Sequence, residues 1–414
     1  MYRWTSILTL ALLGAAHATS LPELLSLVEQ QPTVRVAQLQ IQEMQLKLTA
    51  PGVLPNVLLK GDVGYSKNQL TGSPDWSGDV GASVQYGLVT SNQQKTLIEL
   101  ELQKLQADLI LTRIQSLKSL LDTEHLYRKT QLALQMAELD LRAQQLELKT
   151  RQARFALGAV TEGQVKNTEL LVTRAEVSVK QQQVALRKAV SELQRLKLNL
   201  PDNLPELPLP PEDHAALSSD LLKNRKDLQE LQVNAFKLNL ANFPQLTLEG
   251  SYSNGSNALM GSLDQHLDAV LDYTYNFNPV NPQENWSIRL AAKFPLDFTR
   301  GSQQQINQQQ QQVVKDNMNL LQSQMQRNKA DALEQYRQNQ ELLLLSRQVV
   351  QLSQDALEQE KYRLAQGLVS EASVLQVQKE LLKEQQNVME LEKTQLDLGL
   401  QVWEVYTWYP QNGK

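Results

Sequence analysis

From Lys95 to Leu157 the chain contains neither proline nor glycine, and its apolar residues step by four and three. Ile98, Leu102, Leu105 and Leu109 form one run, Ile110, Ile114, Leu117 and Leu121 a second, and Leu132, Met136 and Leu139 a third. This is heptad spacing with shifts of register between the runs, and it predicts one unbroken helix. At about 1.5 Å per residue that helix is roughly 95 Å long. The spacing returns at Leu342, Leu345, Val349, Leu352 and Ala356. A monomeric globule does not need such rods, so the chain is either a plain coiled coil or a larger assembly.

Both rods end in the same phrase. Residues 154–162 read RFALGAVTE and residues 363–371 read RLAQGLVSE, 209 positions later. Gly158 and Gly367 interrupt stretches that otherwise hold no breakers. Glycine accepts positive φ and ends helices at the C′ position. Thr161 or Ser370 can then cap the next helix, with Glu162 or Glu371 favourably placed in its first turn. The phrase therefore predicts a tight turn between antiparallel helices, at the end of each rod away from the strands.

The phrase is one of three landmarks that recur. PNVLLKG (55–61) matches PQLTLEG (244–250), and Trp76-Ser77 matches Trp286-Ser287. The sequence is thus internally duplicated, with about 20 extra residues between Gly250 and Trp286 of the second copy. The copies meet at PDNLPELPLPP (201–211), a stiff, extended connector. The expected organisation is a leader at 1–18, a first repeat at 19–200, a linker at 201–216 and a second repeat at 217–414 with an inserted loop at 254–285. Each repeat reads as a helix of about 30 residues, a β-hairpin and a long helical hairpin.

Four segments alternate with period two: 57–65, 80–88, 246–252 and 286–298. Val57, Leu59, Val63 and Tyr65, for example, alternate with Leu58, Lys60, Asp62 and Gly64. An apolar face backed by a mostly polar face, with aromatics near the ends, suits a strand between lipid and water. Four strands cannot close a barrel alone, so several chains must contribute. LDAVLDYTYNF (267–277) alternates too, but a single extra crossing would put the next helix on the wrong side of the membrane. Ser253–Ser262 reads as too polar and Gly-rich to be its partner. The expectation is four strands per chain, with 254–285 as a partly β extension over the barrel mouth.

Composition removes other function classes. The net charge is −5, so no basic surface calls for nucleic acid. There is no Cys, and His17, His125, His214 and His266 are scattered. No metal cluster, nucleophile–base set or phosphate loop can be assembled, which points away from an enzyme and implies no cofactor. Arg3, the apolar run Ile7–Ala16 and Ala16-His17-Ala18 read as a cleavable export leader. No later window has 18 apolar residues, so a membrane crossing requires a closed barrel.

These features together resemble the TolC-type outer-membrane efflux protein family. The resemblance covers nearly all of the mature chain and rests on duplicated helix–hairpin–helix units, amphipathic strand pairs and the Gly-x-Val-[Ser/Thr] turn in both copies. It implies a mixed α and β membrane protein: a homotrimer with a 12-stranded barrel in the outer membrane, continued by a coiled-coil helical barrel in the periplasm. It implies an exit duct of a tripartite efflux or type I secretion system, with a periplasmic adaptor and an inner-membrane transporter as partners. Gly158, Val160, Thr161, Gly367, Val369 and Ser370 would be the adaptor-docking tips. Family members place aspartates six and nine residues after the second tip glycine. Ser373 and Gln376 stand there in this chain, so with Glu162 and Glu371 they make up the expected tunnel entrance. The alternatives are a structural envelope coiled-coil protein and a periplasmic adaptor. Both leave the strands and the duplication without a purpose.

Overall fold

The computed structural model describes residues 20–49, 56–67, 74–198, 205–211, 214, 218–240, 245–254, 256–264, 268–276, 284–293 and 299–410. The expected leader at 1–18 and residues 294–298 of the last expected strand lie outside them. In chain order the elements are α1 (Leu21–Glu29), α2 (Pro32–Thr49), β1 (Asn56–Lys67), β2 (Pro74–Gly87), α3 (Leu88–Ala156), α4 (Glu162–Arg195), α5 (Ser219–Leu240), β3 (Gln245–Ser253), β4 (Asn257–Asp264), β5 (Asp268–Asn276), β6 (Asn285–Lys293), α6 (Arg300–Ala365) and α7 (Glu371–Tyr406). The two long rods are present, with 69 residues in α3 and 66 in α6. The expected first helix of about 30 residues is instead two helices. Proline disfavours helical geometry in the residue before it, so α1 stops ahead of Pro32 and α2 starts on it.

The chain divides into two compact units, and both halves of the sequence contribute to each. One holds the described residues of Met1–Arg35, Ile110–Ala216 and Gln326–Lys414; the other holds those of Val36–Leu109 and Leu217–Met325.

The first unit is helical. Val28, Ile114, Leu117, Leu121, Leu400 and Trp403 are all but completely buried. Antiparallel α3 and α7 are tied by a ladder of charges. Lys393 on α7 reaches Asp122 on α3 at 2.7 Å, Lys129 reaches Glu390 at 2.8 Å, and Arg142 reaches Glu371 at 2.7 Å. Glu392 accepts from Arg128 of α3 and Arg347 of α6, each at 3.1 Å. The Pro-rich connector packs onto α7. Pro208 O accepts from Trp403 Nε1 at 2.7 Å, and the Leu207 side chain fills the space left by Gly399, where a Cβ would meet it at 3.1 Å. Trp403 in turn stacks edge-to-face on Trp408 and Tyr409.

The second unit carries one antiparallel sheet of six strands in the order β1-β2-β5-β4-β3-β6. This corrects the expected four strands per chain. The segment expected to stand over the barrel mouth supplies β4 and β5, wedged between β2 and β3. Two physical signals explain the difference. Asn254-Gly255 is a turn signal in the sequence, and Asn254 closes the end of the β3–β4 hairpin: its N donates to Asn257 O, and its Oδ1 accepts from Asn257 N, each at 2.9 Å. Asn257, Gly261 and Ser262, which made β4 look too polar, are acceptable in a strand with one wet face. Two added strands also keep the number of crossings even. The starts of β1 and β3 and the ends of β2 and β6 lie at one end of the sheet, so every helical connection leaves from that end.

Candidate functional site: an amphipathic sheet and two helical turns

The register across the sheet places apolar residues in unbroken rows. Val57 faces Val84, which faces Leu271, then Gly261, Gly250 and Ile288. The next row runs Leu59, Ala82, Tyr273, Leu259, Tyr252 and Trp286. On one strand of a row the neighbours alternate to the other face, so Lys60, Ser83, Asp272, Ser262, Glu249, Ser251, Ser287 and Arg289 share the opposite side. There Ser251 Oγ and Ser287 Oγ lie 2.8 Å apart, and Lys60 lies 3.9 Å from Asp272.

Among the described residues, nothing covers the apolar face. Leu59 is 78% exposed, Trp286 77%, Ile288 72% and Leu290 69%. A contiguous apolar surface of this size is untenable in water and marks a membrane or a partner. Aromatics gather toward one end of that face. Tyr273 donates to Asn257 Oδ1 at 2.6 Å, so its ring lies on the apolar face while its hydroxyl is held at the polar strand end. Such an aromatic band is what a membrane interface selects. Among the described residues, no helix is long and apolar enough to cross a membrane.

The two repeated phrases form the same turn. Gly158 has φ +70° and Gly367 φ +73°. In the first, Gly158 N donates to Phe155 O at 2.8 Å and Ala159 N to Arg154 O at 2.9 Å; in the second, Gly367 N donates to Leu364 O and Leu368 N to Arg363 O, both at 2.9 Å. This is the Schellman pattern, and it needs a residue that tolerates the left-handed region. Thr161 then opens α4 with a capping box: its Oγ1 accepts from Gln164 N, and Gln164 Oε1 accepts from Thr161 N. Ser370 Oγ accepts from Ser373 N at the start of α7. Val160 and Val369 are half-buried, the latter against Leu357, Val374 and Leu381. Leu157 and Leu368 project outward at 85% and 65% exposure. These two leucines, missed in the sequence reading, are the apolar points of the tips. They were legible as the residues flanking each turn glycine.

The expected entrance residues are not brought into one cluster. Glu162 pairs with Lys166 one turn on, at 2.7 Å. Glu371 pairs with Arg142 of α3, well before that helix ends at Ala156. At about 1.5 Å per residue, α3 carries its own turn roughly 20 Å beyond the first turn of α7. Ser373 Oγ donates to Glu360, whose side chain is only 12% exposed and is also held by Arg363 at 3.1 Å. Gln376 Nε2 donates to Glu380 Oε1 at 2.9 Å. Glu360 is thus the enclosed acid near the second tip. It lies upstream of the turn, on the opposite side of Gly367 from Ser373 and Gln376.

Farther along the helical unit, His125 is buried with Nε2 3.4 Å from Glu390. Burial pushes its imidazole below the usual 6.5, although the carboxylate opposes this. The Lys129 hydrogen bond holds Glu390 below the usual carboxylate range.

No protein-family model matches the sequence, and neither does any curated protein. Solved structures do match. The Campylobacter jejuni CmeC outer membrane channel shares 11% identity, with 93% of this chain and 85% of that one covered at a TM-score of 0.63. The outer membrane protein VceC of Vibrio cholerae shares 16%, with 93% and 95% covered at 0.61. The open state of the Neisseria gonorrhoeae MtrE outer membrane channel shares 15%, with 93% and 88% covered at 0.58.

Proposed function

We propose that this chain, which has the fold of the TolC-type outer-membrane channels, is the exit duct of a tripartite efflux or type I secretion system. The observation that carries the proposal is the uncovered apolar face running through all six strands, backed by a polar face. Copies of the sheet close a barrel in the outer membrane, with lipid against Leu59, Ile288 and Leu290 and water against Glu249, Asp272 and Arg289. Copies of the long helices form the periplasmic conduit, with Glu371, Ser373 and Gln376 at the level of the second turn and Glu162 at that of the first, so that the acids stand at two levels of the entrance and not in one ring. The assembly is a homotrimer. Its helical seams are the exposed heptad rows Leu170, Val177 and Val184 on α4 and Ile306, Val313 and Leu320 on α6. The two turns, with Gly158, Val160, Thr161, Gly367, Val369, Ser370 and the projecting Leu157 and Leu368, dock a periplasmic adaptor. An inner-membrane transporter supplies the energy, and small molecules or polypeptides pass through. A periplasmic adaptor or a structural coiled coil would have no use for the lipid-type face.

The test is reconstitution of the purified, detergent-extracted protein in planar bilayers. Discrete conductance steps from a species with the mass of three chains are expected. A stable trimer that inserts and carries no current would sink the duct.

A further inference from the structure

We infer that the β4–β5 hairpin is part of the barrel wall and that β6 of one copy pairs with β1 of the next, so that three copies close a barrel of 18 strands. The inference rests on the trimeric duct proposed above and adds the wall's composition and the contact between copies.

Among the described residues, the sheet has two open edges, β1 and β6. In hydrocarbon, the unpaired N–H and C=O groups of an edge have no water to bond, so a membrane sheet must close on itself. Six strands are too few to do that, since the smallest membrane barrels have eight. The edges must therefore meet edges of other copies. Every neighbouring pair in the sheet is antiparallel, so β1 and β6 run in opposite directions. The edge of one copy can then continue the antiparallel ladder of the next by simple rotation, and the ring closes. An odd strand count per chain would not allow this.

The inserted hairpin is held in the wall by register. Val84 faces Leu271, and Leu248 faces Leu263. Leu259, Leu263, Leu271 and Tyr273 continue the apolar rows of β2 and β3, while Met260 and Val270 are the larger apolar side chains of the hairpin that share the polar face with Asp272. Gly81 makes the junction especially close: a Cβ there would lie 2.7 Å from Tyr273 O. Were the hairpin to fold out over the mouth, it would carry an apolar face into water. At a strand spacing of about 4.8 Å and a tilt of about 40°, 18 strands give a barrel roughly 36 Å across between backbones, against roughly 24 Å for 12.

The chain has no cysteine, so pairs can be introduced without background. Val84→Cys with Leu271→Cys, and Leu263→Cys with Leu248→Cys, should form disulfides within one chain of the assembled protein. Trp286→Cys, Ile288→Cys or Leu290→Cys, each combined with Val57→Cys or Leu59→Cys, should in one register link neighbouring chains into a ladder that stops at three. The same β6 cysteines should not link to Leu58→Cys or Lys60→Cys, which face the other way. Electron microscopy of the unsubstituted trimer gives the width without any variant. A conducting trimer about 24 Å wide, in which Val84→Cys links to Leu248→Cys, would overturn the 18-strand wall and leave the duct standing. A wide trimer in which no apolar-face β6–β1 pair links would overturn the proposed edge contact. Absence of both trimer and conductance in the unsubstituted protein would overturn the duct itself.

Discussion

Single residues decide the local geometry of the turns. At Gly158 and Gly367 a Cβ would meet nothing within 4 Å, so a side chain there is opposed by backbone strain alone. Gly367→Val should cost about 1–2 kcal/mol, visible as a lower denaturant midpoint. It should also weaken adaptor-dependent efflux while leaving membrane insertion intact. Loss of insertion with normal efflux coupling would put the turn at the wrong end of the duct. His125 makes a different prediction. Its folded pKa lies below 6.5, so the fold favours the neutral ring. The unfolded chain takes up the proton first as pH falls, and stability present above that value is lost below it. The denaturant midpoint of the helical unit should therefore drop between about pH 7.5 and pH 5.5, and His125→Gln should flatten that drop. An unchanged slope would mean that the ring titrates as it does in solvent.

At the scale of elements, α3 and α7 are held in register by charge as well as by packing. Burial works against the charge on Lys393, and Asp122 and Asp397 outweigh it. Glu392 serves two helices, so Glu392→Ala leaves Arg128 and Arg347 facing each other without a carboxylate. A loss of about 2 kcal/mol is expected from removing a partly buried acceptor of two charge-assisted bonds, read from chemical denaturation. The heptad rows left exposed on α4 predict something else. Leu170→Lys with Val177→Lys should preserve helix content by circular dichroism and reduce the trimer in native mass measurement. A trimer undiminished by both lysines would show that this row faces water.

For the whole molecule, the polar face of the sheet would set the chemistry of the lumen of the proposed barrel. Among its described side chains, Asp79, Glu249, Asp264, Asp268 and Asp272 outnumber Lys60 and Arg289. The barrel should prefer cations, and Asp272→Asn with Glu249→Gln should lower the cation-to-anion permeability ratio in single-channel recordings. No change would locate selectivity in the helical conduit, at Glu360 or at the entrance acids.

Much of this architecture is written in local patterns. Heptads predict α3 and α6 because helix periodicity is a property of the segment alone, and Gly158 and Gly367 predict the turns because one φ angle excludes other residues. Alternation located β1, β2, β3 and β5 to within a few residues, except that β2 begins earlier, at Pro74. What the sequence could not reveal is partnership. β4 looks polar in isolation and becomes a strand only because β5 and β3 flank it and one of its faces meets water. The ladder that sets Glu371 beside Arg142, and so separates it from Glu162, arises from packing between helices more than two hundred residues apart. Periodicity says which face of an element is apolar, but which neighbour meets that face, and at what register, depends on contacts that form only when the chain folds.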